Sequence, residues 1–332
     1  MIEAAEQVDE VADPEIDSDL AIQIEGMVKC YGRTTAVDHL SMHVPRGSIY
    51  GFVGPNGAGK TTTIRTLATL QRPDSGTVLL DGLDVLAEPG RVRDRVGYMP
   101  DFFGVYDTLT VEEYLDFYGA SYRIPTARRR RLIEELLQVV DLTEKHAQPV
   151  EVLSRGMKQR LGLARCLIHD PEVLLLDEPA SGMDPRARIE LREILRDLSN
   201  LNKTVIVSSH ILPELAEMCT HIGVIQAGRI IAEGLVGDVI AALSHGPRLR
   251  IQMLVPDQLE IVARAIAEFT GSSADVLDER TLVAPFDGSD GDMAELLAAL
   301  VARGAQVTSF ALETGTLEDV FLQATERWEE ET

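Results

Sequence analysis

The residues able to do chemistry in this chain fall in three short runs. In the first, Gly54-Pro55-Asn56-Gly57-Ala58-Gly59-Lys60-Thr61-Thr62, closely spaced glycines let the backbone wrap around an anion. Successive N–H groups from Gly57 to Thr62 can then point at a phosphate beside a helix start. Each charge-assisted bond of this kind contributes about 1.5–3 kcal/mol. Lys60, directly after the last glycine, can hold further phosphate oxygens, and Thr61 can offer its hydroxyl to Mg²⁺.

This spacing matches the phosphate-binding P-loop and stands where that motif must, after the apolar run Ser48–Val53 and ahead of a helix starting near Gly59. The second run, Val173-Leu-Leu-Leu-Asp177-Glu178-Pro179, is an apolar strand that ends in two acids. Asp177 is placed to hold Mg²⁺, and Glu178, one residue on, to orient and deprotonate an attacking water. Paired acids at a strand end are common on surfaces, so the role rests on the P-loop upstream. The third run, Leu153-Ser154-Arg155-Gly156-Met157, precedes a helix. Ser154 is an N-cap by type, which is its ordinary use. A helix N-terminus with a free hydroxyl and a glycine N–H is also a second phosphate site, too far along the chain to share the first phosphate intramolecularly.

The elements that must position these runs are legible from periodicity. Segments 22–28, 36–44 and 48–53 read as strands, as do Gly76–Gly82 and Val96–Met99. Residues 111–152 switch to helical spacing, a helical insertion. From Leu153 strands and helices alternate: a helix to Ile168, the strand Val173–Leu176, a helix from Pro185, the strand Thr204–Val207, a helix from Leu212. The continuous apolar runs suit a parallel sheet with both faces covered. After His245-Gly-Pro247, a candidate linker, strands at 249–253, 281–286 and 306–312 surround helices at 261–269 and 293–301.

The order of motifs resembles the nucleotide-binding domain of ATP-binding-cassette (ABC) proteins over Ile22–Gly234. That resemblance implies ATP as ligand, Mg²⁺ as its companion, and Lys60, Glu178 and His210 as the hydrolytic group. Leu153–Met157 resembles the family signature, in which Ser154 and Gly156 face the γ-phosphate of ATP held by a second cassette, a homodimer being expected. Tyr31, in Lys29-Cys-Tyr-Gly32, sits where the family has an aromatic that stacks on adenine, and His210, after Ser208-Ser209, where it has the γ-phosphate histidine. Ser181-Gly-Met-Asp184 resembles the loop that links the two sites. Gly315–Leu322 resembles the C-terminal element of exporter-type ATPases, which implies a separately encoded multi-span membrane permease.

Three positions depart from the family, one of them Met157, where the signature commonly has glutamine. Asp101 stands where glutamine is usual and offers charge and acceptors only, so it is expected to sense Mg²⁺ directly or through water. Arg155 replaces glycine in the signature and is expected to face solvent. The arginines at 128–131 read as a solvated helix face.

Composition narrows the alternatives. With 54 acidic against 31 basic residues in 332, the net charge of −23 argues against a nucleic-acid partner and against docking on anionic lipid. No cationic segment followed by an apolar run opens the chain, and no run approaches a membrane span, so neither a secretory signal nor lipid insertion is expected. Three isolated cysteines, Cys30, Cys166 and Cys219, suit a reducing cytosol as small core residues. A soluble ABC ATPase of translation or nucleic-acid maintenance is the competing reading. The single cassette and the absence of heptads favour a transport motor, peripheral on the cytoplasmic face of the membrane.

The expected fold is therefore α/β: a P-loop ABC cassette with a mixed sheet, an antiparallel β subdomain and a helical subdomain, followed by a small α+β C-terminal domain. The expected boundaries are an acidic tail at 1–20, the ATPase domain at 21–245 with its helical part near 105–165, the accessory domain at 248–325 and a second acidic tail at 326–332.

Overall fold

Two long strands, β1 (Leu20–Tyr31) and β2 (Thr34–Pro45), alternate apolar and polar residues and pair antiparallel across a two-residue turn. Ile22, Ile24, Met27, Leu40, Met42 and Val44 are thereby buried on one face. The computed structural model describes residues 16–313 apart from 103, 105, 107, 212–214, 216 and 244–247. Residues 1–15 of the expected tail at 1–20, the expected tail at 326–332, the helix from Leu212, the linker at 245–247 and the motif at 315–322 lie outside the described residues, while Leu20 already opens β1.

Chain order continues with β3 (Ile49–Val53), α1 (Lys60–Leu67), β4 (Ser75–Leu80), β5 (Leu83–Asp84), α2 (Pro89–Arg95) and β6 (Val96–Met99). The helical part contains α3 (Val111–Ser121), α4 (Thr126–Val139) and α5 (Arg155–Leu167). Then come β7 (Val173–Asp177), α6 (Pro185–Asn200), β8 (Thr204–Ser209), β9 (His221–Gln226) and β10 (Arg229–Leu235). One sheet has the order β2-β1-β4-β5 with antiparallel pairing; the other has the order β10-β9-β3-β8-β7-β6. In the second, β9, β3, β8, β7 and β6 pair parallel, and every residue of β3, β7 and β8 is buried. Side chains of both sheets and of α1 share one apolar core, including Ile24, Leu40, Phe52, Ile64, Leu80, Leu175 and Ile206.

The helical part is secured by specific polar contacts. Thr110 caps α3 in a reciprocal box with Glu113. Arg160, 6% exposed, donates to the carbonyls of Val140 and Asp141 and joins α5 to the end of α4. Of the arginines at 128–131, Arg129 is turned inward onto Asp116 at 2.7 Å while the other three are exposed, so the expected solvated face is interrupted there. Cys166 is buried, whereas Cys30 is exposed, contrary to the expectation of a core residue.

A second unit follows: α7 (Val236–Leu243), β11 (Arg248–Met253), α8 (Leu259–Thr270), β12 (Asp275–Asp278), β13 (Thr281–Pro285), α9 (Asp290–Ala302) and β14 (Val307–Glu313). Its antiparallel sheet runs β12-β13-β11-β14, the split β-α-β arrangement, over a core of Leu249, Ile251, Ile266, Leu282, Leu296 and Leu300. By contacts the chain divides into one unit ending at Glu233, with Ile211–Glu217 excepted, and another comprising that excepted segment and everything from Gly234. The stretch 234–243, read above with the ATPase domain, thus groups with the second unit. No helix among the described residues is long and apolar enough to cross a membrane.

Candidate active site

The phosphate loop is built by a buried strand that runs out into glycines and re-enters as a helix. β3 ends at Val53, and Gly54 follows where a Cβ would stand 2.2 Å from the Ile225 carbonyl oxygen on the neighbouring strand β9, so only glycine fits. Gly59, the N-cap of α1, has φ 110°, and a Cβ there would stand 2.6 Å from the Ala36 carbonyl oxygen. Ala58 is buried and its carbonyl accepts the Gly228 N–H at 2.9 Å, which pins the loop to the turn after β9. The helical ladder of α1 begins with Thr63 N–H on Gly59 O at 2.9 Å. The N–H groups ahead of it point along the axis into the cavity.

That cavity, about 430 Å³ in volume, is lined by Pro55, Asn56, Gly57, Gly59, Lys60, Thr61 and Thr62 from the loop and helix, and by Asp101, Glu178, Ser181 and His210 from elsewhere. Lys60 is 6% exposed; its Nζ donates to the carbonyls of Gly54 at 2.6 Å and Pro55 at 3.2 Å and stands 3.7 Å from Glu178 Oε1. Burial pulls its ammonium below the ordinary lysine value, opposed by the charges of Glu178 and Asp177. The loop carbonyls hold the charge in place at the cavity floor.

Opposite the loop, the carboxyl ends of β7 and β8 are in register, Asp177 beside Ser208. Ser208, fully buried, donates its hydroxyl to Asp177 Oδ1 at 2.6 Å and accepts the Glu178 N–H at 3.0 Å. Glu178 sits in the left-handed region at φ 51°, uncommon for a residue with a Cβ, and this turns its side chain off the strand into the cavity. Its Oε2 lies 3.0 Å from His210 Nδ1. A carboxylate so placed, between a lysine and a histidine, can accept a proton from a water at the cavity mouth.

Among the residues singled out from sequence, the P-loop residues other than Gly54 and Ala58 come together around this cavity with Asp101, Glu178 and His210. Asp177 lies just beneath it. Asp101 is exposed on the rim. Tyr31, Ser154 and Gly156 do not line it. Tyr31 is 50% exposed at the end of β1, its hydroxyl bonded to Gln71 and its ring 5.8 Å from the Lys29 ammonium. Ser154 caps α5 by accepting the Met157 N–H at 3.3 Å. Gly156 is buried, and a Cβ there would stand only 3.1 Å from Ala187 Cβ, a tight approach. Arg155 is exposed, as expected, and within that exposed position its guanidinium lies over Gly182 and its Nη2 donates to Ser181 Oγ at 3.4 Å. Ser208 was not singled out from sequence. Its signal was there, a hydroxyl at the polar end of an apolar strand, but only the pairing with β7 gives it a partner.

A glycine-rich loop between a buried strand and a helix, with a buried aspartate ending a neighbouring strand of the same parallel sheet, defines a P-loop nucleoside triphosphatase. The comparisons narrow the class. The family model for the ABC transporter matches residues 37–181. The chain is 37% identical over 308 residues to the daunorubicin resistance ATP-binding protein DrrA3 of Streptomyces coeruleorubidus, covering 93% of this chain and 96% of that protein. It is 32% identical to the linearmycin resistance ATP-binding protein LnrL of Bacillus subtilis, over 92% of this chain and 98% of the relative. It is 42% identical over 227 residues to the Nod factor export ATP-binding protein I of Ralstonia nicotianae, covering 68% and 71%. A solved ATP-binding subunit of an ABC transporter superposes with a TM-score of 0.61 at 26% identity, over 67% of this chain and 92% of that one. The cbiO1 subunit from Clostridium perfringens shares the fold, with a TM-score of 0.62 at 23% identity over 75% and 95%. The chain belongs to the ABC transporter family as an ATP-binding subunit, and it is an ATPase. This favours the transport reading over translation or nucleic-acid maintenance.

Proposed function

We propose that this subunit powers export through a separate membrane permease, as one of two copies that close head-to-tail on ATP. The N–H groups at 57–62 and Lys60 hold the phosphates, Tyr31 stacks on the adenine, and Ser154 and Gly156 of the other copy complete the site. The relatives named for resistance to daunorubicin or linearmycin match nearly the whole chain, including its second unit, and support the export direction. The exposed aromatics next to the cavity rim, Phe102 at 88% and Tyr106 at 52% exposure, supply the surface that grips a permease helix. On this reading the subunit sits on the cytoplasmic face of the membrane.

The donor set fits Mg²⁺. Thr61, Asp177 and Asp101 offer hard oxygen ligands, and no cluster of three or more metal-binding side chains exists among the described residues. That combination suits an ion carried in on a nucleotide and finished by one or two protein oxygens. Bound there, Mg²⁺ neutralises charge on the phosphates. The chain's own part is to hold a base: Glu178 takes a proton from the attacking water, and His210 fixes the carboxylate and reaches toward the γ-phosphate.

The observation that carries this reading is the 3.0 Å contact between Glu178 and His210 over the cavity that Lys60 floors. The test is Glu178→Gln purified from solubilised membranes. Expected are an ATP-bound pair of copies on size exclusion, hydrolysis reduced by at least about 100-fold, and a co-purifying multi-span protein. Hydrolysis at the parent rate removes Glu178 from the role; absence of any multi-span protein removes the transport reading.

A further inference from the structure

Arg155 occupies the first position of α5, an unfavourable place for a cation because the unpaired N–H groups of a helix start already present positive charge. No acidic residue in that turn offsets it. The side chain leaves its own helix and lies against the loop that follows Glu178. A Cβ on Gly182 would stand 2.3 Å from Arg155 Cζ, 2.5 Å from Nη1 and 2.7 Å from Nε, so the guanidinium rests flat on a residue that has none. Gly182 is held at φ 68°. Beside this contact Nη2 donates to Ser181 Oγ at 3.4 Å, and one residue on, Gly156 packs against Ala187 and Met183. The start of α5 is thus seated on the loop 181–184 of the same chain.

Ser181 in turn acts on Glu178. Its N–H donates to the Glu178 carbonyl at 3.0 Å, while the Glu178 N–H goes to Ser208 at 3.0 Å. A non-glycine residue stays at φ 51° only when its surroundings fix it, and these two bonds grip its backbone from both sides. Arg155 holds the residue that supplies one of them.

We infer that Arg155 is a positioning residue for Glu178, linking segment 153–157 through Ser181 to the carboxylate of its own site. The inference rests on the reading that Ser154 and Gly156 serve the ATP of the other copy. Occupation of that remote site then bears on Arg155 and, through Ser181, on the local base, so each site is tuned by the other. A glycine at 155, the commoner residue in the family, has no side chain to make this link.

The test is steady-state ATPase kinetics for Arg155→Gly, Arg155→Lys, Ser181→Ala and the double variant Arg155→Gly/Ser181→Ala, with Glu178→Gln pairing measured in parallel on size exclusion. Expected is a loss in kcat of about 10-fold for Arg155→Gly, the scale of a modestly misplaced base, with KM little changed. Its ATP dependence should turn from sigmoidal to hyperbolic. Arg155→Lys should not rescue, because an ammonium lacks the flat fork that lies on Gly182. Ser181→Ala should match the loss, and the double variant should be no worse than either single one. Losses that multiply in the double variant, or a parental kcat and ATP dependence in Arg155→Gly while Glu178→Gln still pairs, overturn the Arg155 link alone. Failure of Glu178→Gln itself to pair removes the two-copy reading and the cooperative part of the inference with it.

Discussion

His210 Nδ1 meets Glu178 Oε2 at 3.0 Å, across the carboxyl ends of two adjacent parallel strands. The other carboxylate oxygen stands 3.7 Å from the Lys60 ammonium. A base bracketed by an imidazole and a cation has little rotational freedom, yet keeps lone pairs on the cavity side. Three parts of the chain, about 60, 178 and 210 in number, meet here because β3, β8 and β7 are consecutive in the sheet. The parallel sheet therefore assembles the site at one edge.

His210 is 46% exposed, so removing its ring costs little packing. His210→Ala is expected to lower the single-turnover hydrolysis rate by about 100-fold, the lower range for a group acting in proton transfer. ATP affinity and thermal midpoint should stay close to the parent. A fall in midpoint equal to the fall in rate would assign His210 to the fold instead.

Ser208 joins Asp177 to Glu178 and has no exposed surface. Ser208→Ala strands a buried carboxylate oxygen and a backbone N–H at once, a cost of about 1–3 kcal/mol for each group left unpaired. Denaturant titration should show the midpoint falling, and ATPase assays a lower kcat in the same variant. An unchanged midpoint would mean that water replaces the hydroxyl.

The difference between Ser208 and Lys60 explains which parts of the site were readable along the chain. The loop 54–62 acts through consecutive backbone groups, so spacing alone encodes it, and Asp177 with Glu178 end an apolar run that has no other use for two acids. Ser208 works on a partner 31 residues earlier, and only strand pairing brings them together. The contact of the exposed Arg155 with Ser181 was not legible, because it depends on Gly182 lacking a side chain. The same limit applies to the fold. α2 carries only one buried residue, Val92, and β12 is exposed at all four positions, so neither leaves an apolar period to detect. The buried runs of β7 and β8 were read almost to the residue because burial on both faces leaves an unbroken apolar signature.

Lys60 gives the site a defined pH response. Burial lowers its value in the empty site, whereas a bound triphosphate favours the charged ammonium and raises it. ATP binding therefore takes up a proton between the two values: affinity is greatest below the empty-site value and falls as pH rises through it. Calorimetry in two alkaline buffers of different ionisation enthalpy should give different binding heats for the parent. Lys60→Arg, whose guanidinium keeps its proton throughout, should give the same heat in both. Buffer-independent heats for the parent would remove Lys60 from the linkage.

Asp101 brings a carboxylate to the rim of the cavity where a neutral amide is usual in the family, and its exposed position would let it assist Thr61 and Asp177 in holding a Mg²⁺ brought with the nucleotide. A carboxylate contributes charge to a Mg²⁺ site where glutamine contributes a dipole, so the chain should reach half-maximal ATPase at lower Mg²⁺ than its Asp101→Gln variant. The expected shift is about tenfold, the low end for loss of a supporting metal-site group. Asp101→Ala should shift at least as far, because it supplies neither charge nor carbonyl oxygen, while ATP binding measured without Mg²⁺ should be unaffected or slightly tighter, since a negative charge leaves the neighbourhood of the phosphates. Identical Mg²⁺ titrations for the parent and both variants would show that the residue does not sense the ion, and would leave it as a rim contact for the permease.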